Sequence, residues 1–453
     1  MQFELTREYV DALKLAIEKQ DDKATKELIH ELHPADMAEI LDEITAEEAR
    51  FLYLHFDKDQ AADILIELDE DVRERLLSHL TGEEIASVFI DNMDSDDAAD
   101  IIAELSEKKQ EEVISHISDL EQAGDIVDLL NYDEDSAGGL MATELIAVNE
   151  NWTVSTCIEE IRKQAEEVDE IYFVYVIDDK EILKGTLPLK KLLLATGKTL
   201  VKNIYDSDII SIKTDEKSEE VANVMEKYNL VALPVIDGIG RLKGRITIDD
   251  VVDVIKEEAE KDYQMISGIS GDVEASDTVF QQTRARIPWL IIGLIGGVLA
   301  ARVIGLFKFE LGIYPEMALF IPMITAMGGN VGIQSSSIVV QGLANNSLGL
   351  DSTFRKLIKE LSIALLNGSI LSSIALAYNL IFTDSYAITF SVSTALLSVI
   401  VFASLFGTFV PLALNRIKID PALATGPFVT TTNDVIGLFI YFGIGNLFFT
   451  YFT

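Results

Sequence analysis

Long apolar runs fill the last third of the chain and separate it from all that precedes. Five of these runs occupy residues 287–307, 317–343, 357–381, 387–414 and 422–448. About 20 mainly apolar residues are enough to cross the hydrocarbon core of a bilayer as an α-helix. The pattern therefore predicts an α-helical transmembrane domain with five helices over residues 287–453.

Residues 1–131 follow a different pattern, in which apolar residues recur at helical spacing among many Asp and Glu residues. A similar phrase occurs four times, as PADMAEILDEI, DQAADILIEL, DDAADIIAEL and AGDIVDLL. Its aligned positions Ala38, Ala62, Ala99 and Gly124 are 24, 37 and 25 residues apart. This alternation fits a unit of about sixty residues used twice, as in stacked helical repeats. We therefore predict an acidic, all-α N-terminal superhelix.

Short apolar runs of the kind that form β-strands appear between residues 132 and 250. The segment YFVYVIDDKEILKGTLPLKKLLL, which begins at Tyr172, matches LVALPVIDGIGRLKGRITIDDVVDVI, which begins at Leu230. Asp178 pairs with Asp237 and Gly185 with Gly244, both at a step of 59 residues. Each copy predicts a strand, a turn, a second strand and a helix. This duplicated α/β module resembles a tandem pair of CBS domains, with the copies at 132–200 and 201–250.

The CBS resemblance implies a regulatory module that associates in pairs and often holds ATP or another adenine nucleotide. Gly244, Thr247 and Asp250 stand where the ribose-binding residues of such a pair fall. The first copy has Pro188 and Lys191 at the corresponding places. The resemblance therefore favours a dimerisation scaffold over a nucleotide site, and both interpretations stay open.

Charge divides the chain at the same place as hydropathy. The net charge is −40, yet the residues from Ile287 onward contain seven basic and seven acidic residues. The whole acidic excess therefore precedes the apolar runs. Because such a surface attracts cations and repels nucleic acid, we predict divalent metal ions as partners and no nucleic acid. The single cysteine, Cys157, excludes an internal disulfide.

One acidic cluster lies at a predicted helix start in the N-terminal region. It contains Asp94, Asp96, Asp97 and Asp100. Carboxylates are favoured at a helix N-terminus by the helix dipole alone, so capping and divalent-cation binding are equally good explanations of this cluster.

A second acidic segment belongs to a connecting helix predicted over residues 251–275. Asp253, Glu257 and Glu260 are spaced i, i+4 and i+7, which places them on one stripe of a helix, and Asp249 and Asp250 precede them. Like charges at this spacing repel one another. The stripe is therefore either a solvated face or a surface that closes on other acids when cations bridge them.

The fifth apolar run contains Asp434, the only acidic residue that the pattern places well inside a run. An Asp at the centre of a membrane helix costs about 2.5–3.5 kcal/mol on insertion scales, and it usually faces a bundle interior or a watery path. Thr430 lies one turn before it, and Asn330 belongs to the small and polar segment PMITAMGGNVGIQSSS of the second run. Because oxygen ligands suit Mg²⁺, we predict that these three residues line a cation path. A structural pairing of a buried Asp is the alternative.

Basic residues are concentrated on one side of the apolar runs, and the loops on the other side contain a single one, Lys308. Those on the first side precede the first run and separate the second from the third and the fourth from the fifth, as Arg284, Arg286, Arg355, Lys356, Lys359, Arg416 and Lys418. Since basic loops stay in the cytoplasm, we predict a multi-pass protein of the cell membrane, in contact with lipid. Its N-terminus would be cytoplasmic and its C-terminus outside, and the absence of a signal segment at Met1 agrees with this orientation.

The patterns together predict a multidomain membrane protein. The order of its parts and the segments PMITAMGGNVG and TTNDVIGLFIYF resemble the MgtE family of magnesium channels over the whole chain. This resemblance implies a homodimer with one pore lined by the fifth span. Asp434 falls on the pore carboxylate of the family, and Asp420 falls on an acid that holds Mg²⁺ against the connecting helix. The acids Asp96–Asp100 and Asp249–Glu260 fall in its cytosolic sensing regions.

The predicted function is uptake of Mg²⁺ through a selective channel or transporter that cytosolic Mg²⁺ closes. Bound Mg²⁺ would neutralise acidic surfaces that otherwise repel, and so favour a compact, closed state. A coupled exchanger of Mg²⁺, Mn²⁺ or Co²⁺ and a membrane Mg²⁺ sensor without transport are the alternatives. No nucleophile–base set or phosphate-binding glycine loop in the sequence indicates an enzyme.

Overall fold

A computed structural model describes residues 5–452 apart from 30–31, 54, 166–167, 169–170, 272, 274–276, 345–352 and 425. The chain divides into two compact units, Met1–Lys256 and Glu257–Thr453. The first unit contains the helical repeats and the duplicated α/β module. The second contains the apolar helices.

The first unit begins with the predicted all-α region. Its helices, over the described residues, are α1 (Arg7–Glu18), α2 (Asp22–Ile29), α3 (Pro34–Asp42), α4 (Ala46–Tyr53), α5 (Lys58–Ile66), α6 (Glu70–Leu77), α7 (Gly82–Val88), α8 (Ser95–Ala103), α9 (Glu107–Ile114) and α10 (Leu120–Leu129). The four repeated phrases form α3, α5, α8 and α10. Their Ala, Ile and Leu side chains lie in a common apolar core, so the sequence periodicity identified the buried face correctly.

The α/β module contains two copies of the same topology. The elements are β1 (Ile146–Asn149), α11 (Val154–Gln164), β2 (Val174–Ile177), β3 (Leu183–Thr186), α12 (Leu189–Leu194), β4 (Ile212–Lys213), α13 (Ser218–Tyr228), β5 (Ala232–Ile236), β6 (Leu242–Thr247) and α14 (Ile248–Ile266). In each copy the first strand pairs parallel to the second, and the second pairs antiparallel to the third. The predicted duplication is therefore present in the structure.

The two copies also share their turn chemistry. Asp178 and Asp237 occupy the turns β2–β3 and β5–β6, where each carboxylate accepts hydrogen bonds from backbone N–H groups two and four residues later. This is the local bonding that favours Asp in tight turns. A register shift follows Val176 in one sheet and Val235 in the other, again 59 residues apart.

The connecting helix α14 ends earlier than the predicted boundary at 275. It stops at Ile266, and Gly268 adopts a φ of +77°. Such a conformation is easy for Gly and ends a helix. Residues 272, 274 and 275 of the predicted segment lie outside the described residues.

The second unit contains five helices, in the part of the chain that is described, that are long and apolar enough to cross a membrane. They are α15 (Val279–Leu306), α17 (Ile321–Ala344), α18 (Thr353–Phe382), α19 (Tyr386–Arg416) and α20 (Gly426–Phe452), and the short α16 (Lys308–Ile313) follows the first of them. The prediction of five spans is confirmed. Helix α19 packs against α17, α18 and α20 and is the most buried of the five.

The sequence of the fifth apolar run predicts a local break of the helix at Gly426-Pro427, and this prediction is wrong. The pair instead starts α20 after a short 3₁₀ helix at Pro421–Ala424. Gly426 has a φ of +55°, which lets the chain turn into the helix. Pro427 then occupies the first turn, where its missing N–H costs no hydrogen bond.

Candidate cation sites

The polar centre of the second unit lies on α20, where Asn433 and Asp434 follow one another. Asn433 is buried and its Nδ2 donates to the carbonyl oxygen of Gly328 on α17, at 3.2 Å. Asp434 is half-buried. A Cβ atom built on Gly329 would lie 3.9 Å from Asp434 Oδ1, so this carboxylate lies close to the glycine-rich face of α17.

Glycines provide the room that these polar side chains occupy. A Cβ atom on Gly332 of α17 would lie 2.0 Å from Asn433 Nδ2, and one on Gly296 of α15 would lie 2.0 Å from Thr431 Cγ2. Both distances are too short for real carbon contacts. The close approach of α15 and α17 to α20 therefore depends on side chains that are only hydrogen atoms.

The other two predicted pore residues are placed differently. Thr430 lies against α17, since a Cβ on Gly329 would be 3.0 Å from its Cγ2, and its hydroxyl donates to the carbonyl oxygen of Gly426 at 3.0 Å. Asn330 follows Gly329, but its side chain is exposed in the single chain. The structure thus brings Asp434 and Thr430 to one face of α17, whereas Asn330 points elsewhere.

Asp420 lies just before the 3₁₀ helix that leads into α20. Its exposed carboxylate accepts a hydrogen bond from the backbone N–H of Ala422 at 2.8 Å. The end of α14 contacts the start of α20 nearby, because a Cβ on Gly268 would lie 2.8 Å from Pro427 Cγ and one on Gly426 would lie 2.7 Å from the Ile266 oxygen. The last turn of the connecting helix is therefore packed on the first turn of α20.

A second candidate site lies in the first unit at the start of α8. Carboxylate oxygens of Asp94, Asp96 and Glu144 lie within 4.8 Å of one another. Glu144 Oε2 accepts hydrogen bonds from the Ser95 N–H at 3.3 Å and from its hydroxyl at 2.9 Å, which fixes the carboxylate over the helix start. Three carboxylates at this separation have the donor set that hard divalent cations prefer.

Helix capping does not account for this cluster. Asp94 is the N-cap residue of α8, but its side chain makes no capping hydrogen bond to the helix. Asp96 is only 9% exposed, which is unusual for a carboxylate that has no close basic partner in the described structure. The nearest basic group is the buried guanidinium of Arg245, whose Nη2 lies 3.9 Å from Asp94 Oδ2.

Burial and mutual repulsion make these acids weak. Burial, followed by the charges of Asp97, Asp250 and Asp94, raises the pKa of Asp96 well above its usual value. Burial, followed by the charges of Asp250 and Asp94, raises the pKa of Asp97 to about 7. Asp250, at the start of α14, also has a raised pKa, mainly because it is buried. The start of α8 and the start of α14 therefore face each other with an excess of negative charge.

This excess predicts a pH dependence. A carboxyl whose pKa is raised in the folded state stabilises that state while protonated, and the stabilisation is lost as pH rises through the folded pKa. In metal-free buffer, protection of α8 against hydrogen–deuterium exchange should therefore fall as pH rises from about 4, near the pKa of Asp in an unfolded chain, to about 7, the raised pKa of Asp97, after correction for the intrinsic exchange rate. Millimolar Mg²⁺ should remove most of this fall, and an equal fall with and without Mg²⁺ would contradict cation binding at α8.

Other charged groups surround the cluster, and their charges act on its buried acids. They are Asp94, Asp100, Glu104, Glu134, Glu144, Asp249, Asp253, Arg73 and Arg245. Acids outnumber bases in this set, so the sign of the expected effect does not depend on any one of them.

The acidic stripe of α14 is solvated in the single chain. Asp249, Asp253, Glu257 and Glu260 are all exposed. Lys261 Nζ lies 3.2 Å from Glu258 Oε1. The stripe is accessible enough to bind a bridging cation, and an acidic face that binds no cation would be equally exposed.

The predicted nucleotide residues lie on β6 and at the start of α14. The Thr247 N–H and hydroxyl both donate to Asp250 Oδ2, at 3.1 and 2.7 Å, which is the return half of a capping box. A Cβ on Gly244 would lie 2.5 Å from the Ala142 oxygen, so Gly244 allows the chain at Ala142 to pack against β6. These contacts give all three residues a structural role, and their role in nucleotide binding stays a prediction.

Two acidic residues, Glu144 and Glu360, were not predicted from the sequence as residues of a site. Glu144 lies 50 positions after Asp94, and the sequence contains no local pattern that connects them. Glu360 was overlooked inside the third apolar run, so the expectation that Asp434 is the only acid well inside a run is wrong. The structure places Glu360 about two turns inside α18, half-buried.

Five membrane-length helices with a carboxylate among them, preceded by an acidic unit, are typical of a multi-pass membrane transporter of cations. Family models match in the same order: an MgtE intracellular N domain at residues 32–135, CBS domains at 137–197 and 201–257, and a divalent cation transporter domain, MgtE, at 321–444. The chain belongs to the MgtE family.

Relatives of known name support this assignment. The chain is 31% identical to magnesium transporter MgtE of Thermus thermophilus, over 96% of this chain and 97% of that one. It is also 31% identical to magnesium transporter MgtE of Bacillus subtilis, over 71% of each chain. Among solved structures, it is similar to the cytosolic domain of the Mg²⁺ channel MgtE in complex with ATP, with 32% identity and a TM-score of 0.50. That match covers 54% of this chain and 99% of the other.

Proposed function

We propose that the protein takes up Mg²⁺ across the cell membrane along a path lined by α20, with Asp434 as the carboxylate that attracts the ion. The observation that carries the proposal is the polar pair Asn433–Asp434, packed against the glycine face of α17 inside a largely apolar helix bundle. The names of the relatives supply the ion. Mg²⁺ influx into liposomes that contain the purified protein and a Mg²⁺-sensitive dye tests the proposal, and no influx above empty liposomes would overturn it.

The ion would pass with most of its water. Mg²⁺ releases its hydration shell reluctantly and is commonly held through it. A carboxylate and a threonine hydroxyl on one helix offer acceptors for the hydrating water, and Asp434 supplies the charge. Asn330 and Gln334, both exposed in the single chain, would add amides when a second copy completes the path in a homodimer.

Cytosolic Mg²⁺ would close this path by binding the acidic residues. Candidate ligands are Asp96, Asp97, Asp100 and Glu144 near α8, Asp249, Asp250, Asp253, Glu257 and Glu260 on α14, and Asp420 before α20. Without cations, the carboxylates repel one another; with cations, they would favour a compact closed state. The contact of the last turn of α14 with the first turn of α20 offers a route from this regulation to the helix that carries Asp434.

Neutralising the stripe of α14 tests this regulation. In the triple variant Asp253→Asn, Glu257→Gln and Glu260→Gln, a bridging cation loses its ligands, so closure by Mg²⁺ should weaken. Limited proteolysis of the wild type should slow as Mg²⁺ rises, and the triple variant should need roughly tenfold more Mg²⁺ for the same protection. Equal protection curves for the two proteins would leave the stripe as a solvated face.

The orientation is proposed from the basic loops, with the N-terminus in the cytoplasm and the C-terminus outside. Because the native Cys157 is buried, cysteines introduced at exposed positions should give the labelling signal. A cysteine at the exposed position Asp384 should react with an impermeant maleimide on intact cells. One at Ser106, a few residues after α8, should react only after lysis. The reverse pattern would overturn the topology.

Two finer points distinguish the proposal from its rivals. Unitary Mg²⁺ currents would establish a channel, whereas strict dependence of Mg²⁺ flux on a counter-ion gradient would establish a coupled exchanger. An adenine nucleotide is proposed as a second regulatory ligand, because a relative of the cytosolic part is solved with ATP. In that case Thr247 and Asp250 act both as helix cap and as nucleotide contacts, and ATP binding that survives Asp250→Asn unchanged would exclude this residue.

A further inference from the structure

Glu360 on α18 joins three membrane helices at one point. Its Oε1 accepts a hydrogen bond from the hydroxyl of Ser335 on α17, at 2.7 Å, and a second one from the hydroxyl of Ser404 on α19. The two hydroxyl oxygens are 3.0 Å apart, and both serines are buried. We refer to Glu360, Ser335 and Ser404 as the three-helix bond.

The chemistry of this contact makes it a strong one. A carboxylate in a membrane domain is expensive unless partners satisfy it, and hydrogen bonds to an ionised acceptor are roughly twice as strong as neutral ones. Both donors are serines, whose short side chains hold the helices close. The three-helix bond therefore fixes the separation of α17, α18 and α19 where it occurs.

The three-helix bond lies one helical turn from the contacts that place the polar pair of α20. Gly332 comes three residues before Ser335, and Gly407 comes three residues after Ser404. A Cβ on Gly407 would lie 2.4 Å from the Gly332 oxygen, and a Cβ on Gly332 would lie 2.0 Å from Asn433 Nδ2. A continuous series of contacts thus runs from Glu360 through the backbone of α17 to Asn433, which precedes Asp434.

We propose that Glu360 is a positioning residue for transport: it holds α17 against α19 so that the glycine face of α17 meets Asn433 and Asp434. The proposal rests on the proposed function, since it presumes that Asp434 lines the path. Glu360 itself does not contact the ion. Its effect passes through the hydroxyls of Ser335 and Ser404.

Two substitutions separate this role from others. Glu360→Gln keeps an oxygen that accepts both hydroxyl hydrogen bonds, whereas Glu360→Ala removes it. Mg²⁺ influx per folded protein in liposomes should fall about tenfold in Glu360→Ala and stay within about twofold of wild type in Glu360→Gln. Ser373→Ala is the matched control, because Ser373 is an exposed serine of α18 whose hydroxyl donates only to its own helix, at Ser369.

The second readout is the coupling between Glu360 and Asn433 in a double variant. If Glu360 acts through Asn433, the double variant Glu360→Ala/Asn433→Ala should transport no more slowly than the slower of the two single variants. Multiplicative losses in the double variant would overturn the proposal. Equal losses of influx in Glu360→Gln and Glu360→Ala would also overturn it, because they would indicate that the charge itself binds a cation. Normal influx in Glu360→Ala would overturn it as well, because the three-helix bond would then be purely structural. Normal influx in Asp434→Asn would instead refute the proposed function, so the two failures are distinguishable.

Discussion

Mg²⁺ influx should fall roughly a hundredfold when Asp434 is replaced by Asn, because the lost attraction between the carboxylate and a hydrated divalent ion is on the order of 3 kcal/mol. Asn has nearly the size of Asp and keeps one carbonyl oxygen, so packing against Gly329 should survive. The protein should therefore reach the membrane in normal amount and keep its thermal stability. Influx into liposomes, normalised to folded protein, is the measurement that checks this.

The control for this variant is the same substitution outside the spans. Asp384→Asn changes an acid between α18 and α19 and should leave influx close to wild type, because that residue lies in a connection rather than inside a membrane helix. If Asp434→Asn folds normally and transports normally, Asp434 has no part in the path. The structural pairing of a buried Asp would then be its explanation.

The elements of this fold follow from pattern because hydropathy acts locally. Each apolar run lies almost wholly within one membrane-length helix, and the four repeated phrases form four helices with one buried face. The step of 59 residues identified the duplicated sheets for the same reason, because two turns of the same conformation require the same residue types at the same positions. The ends of the helices were less predictable. Gly426-Pro427 starts α20 rather than breaking it, and only the conformation of Gly426 decides between these two outcomes.

A site residue could be predicted from the sequence only where its residue type is by itself unusual in its surroundings. Asp434 was identified because a carboxylate in an apolar run is costly wherever it points. Glu360 was missed because it lies near the start of its run, where acids are common; helix α18 begins earlier, at Thr353, which places Glu360 about two turns inside. Glu144 could not be connected with Asp94 because the contact depends on how the helical region packs on the α/β module.

Acidity in the first unit was also hard to interpret from sequence. A run such as Asp94–Asp100 looks like a solvated helix start, and the burial of Asp96 becomes visible only once α14 is placed opposite α8. Physically, burial turns an ordinary acidic face into a surface with unfavourable charge, which a cation can relieve. That change depends on the environment of the residues and not on their identity.

Gly332→Ala should reduce both the stability of the membrane half and Mg²⁺ influx. The added methyl group would lie 2.0 Å from Asn433 Nδ2, so the Asn433 side chain must move and its hydrogen bond to the Gly328 carbonyl is lost. We expect a loss of about 1–3 kcal/mol in stability, typical of overpacking. Influx should fall about tenfold, because Asp434 follows directly in the chain and moves with Asn433. Thermal unfolding and liposome influx measure the two effects.

Two further variants determine whether the clash with Asn433 is the cause. Gly443→Ala adds a methyl group to α20 itself, at a position with no atom within 4 Å in the single chain, and should change neither stability nor influx. In Gly332→Ala/Asn433→Ala, the amide that collides with the new methyl group is gone while Val429 Cγ1 stays 2.8 Å from it, so stability should return part of the way towards that of Asn433→Ala alone. Influx should stay low, because the Asn433–Gly328 hydrogen bond is still missing. Full recovery of influx in this double variant would show that room beside α17, and not the Asn433–Gly328 hydrogen bond, is what transport requires.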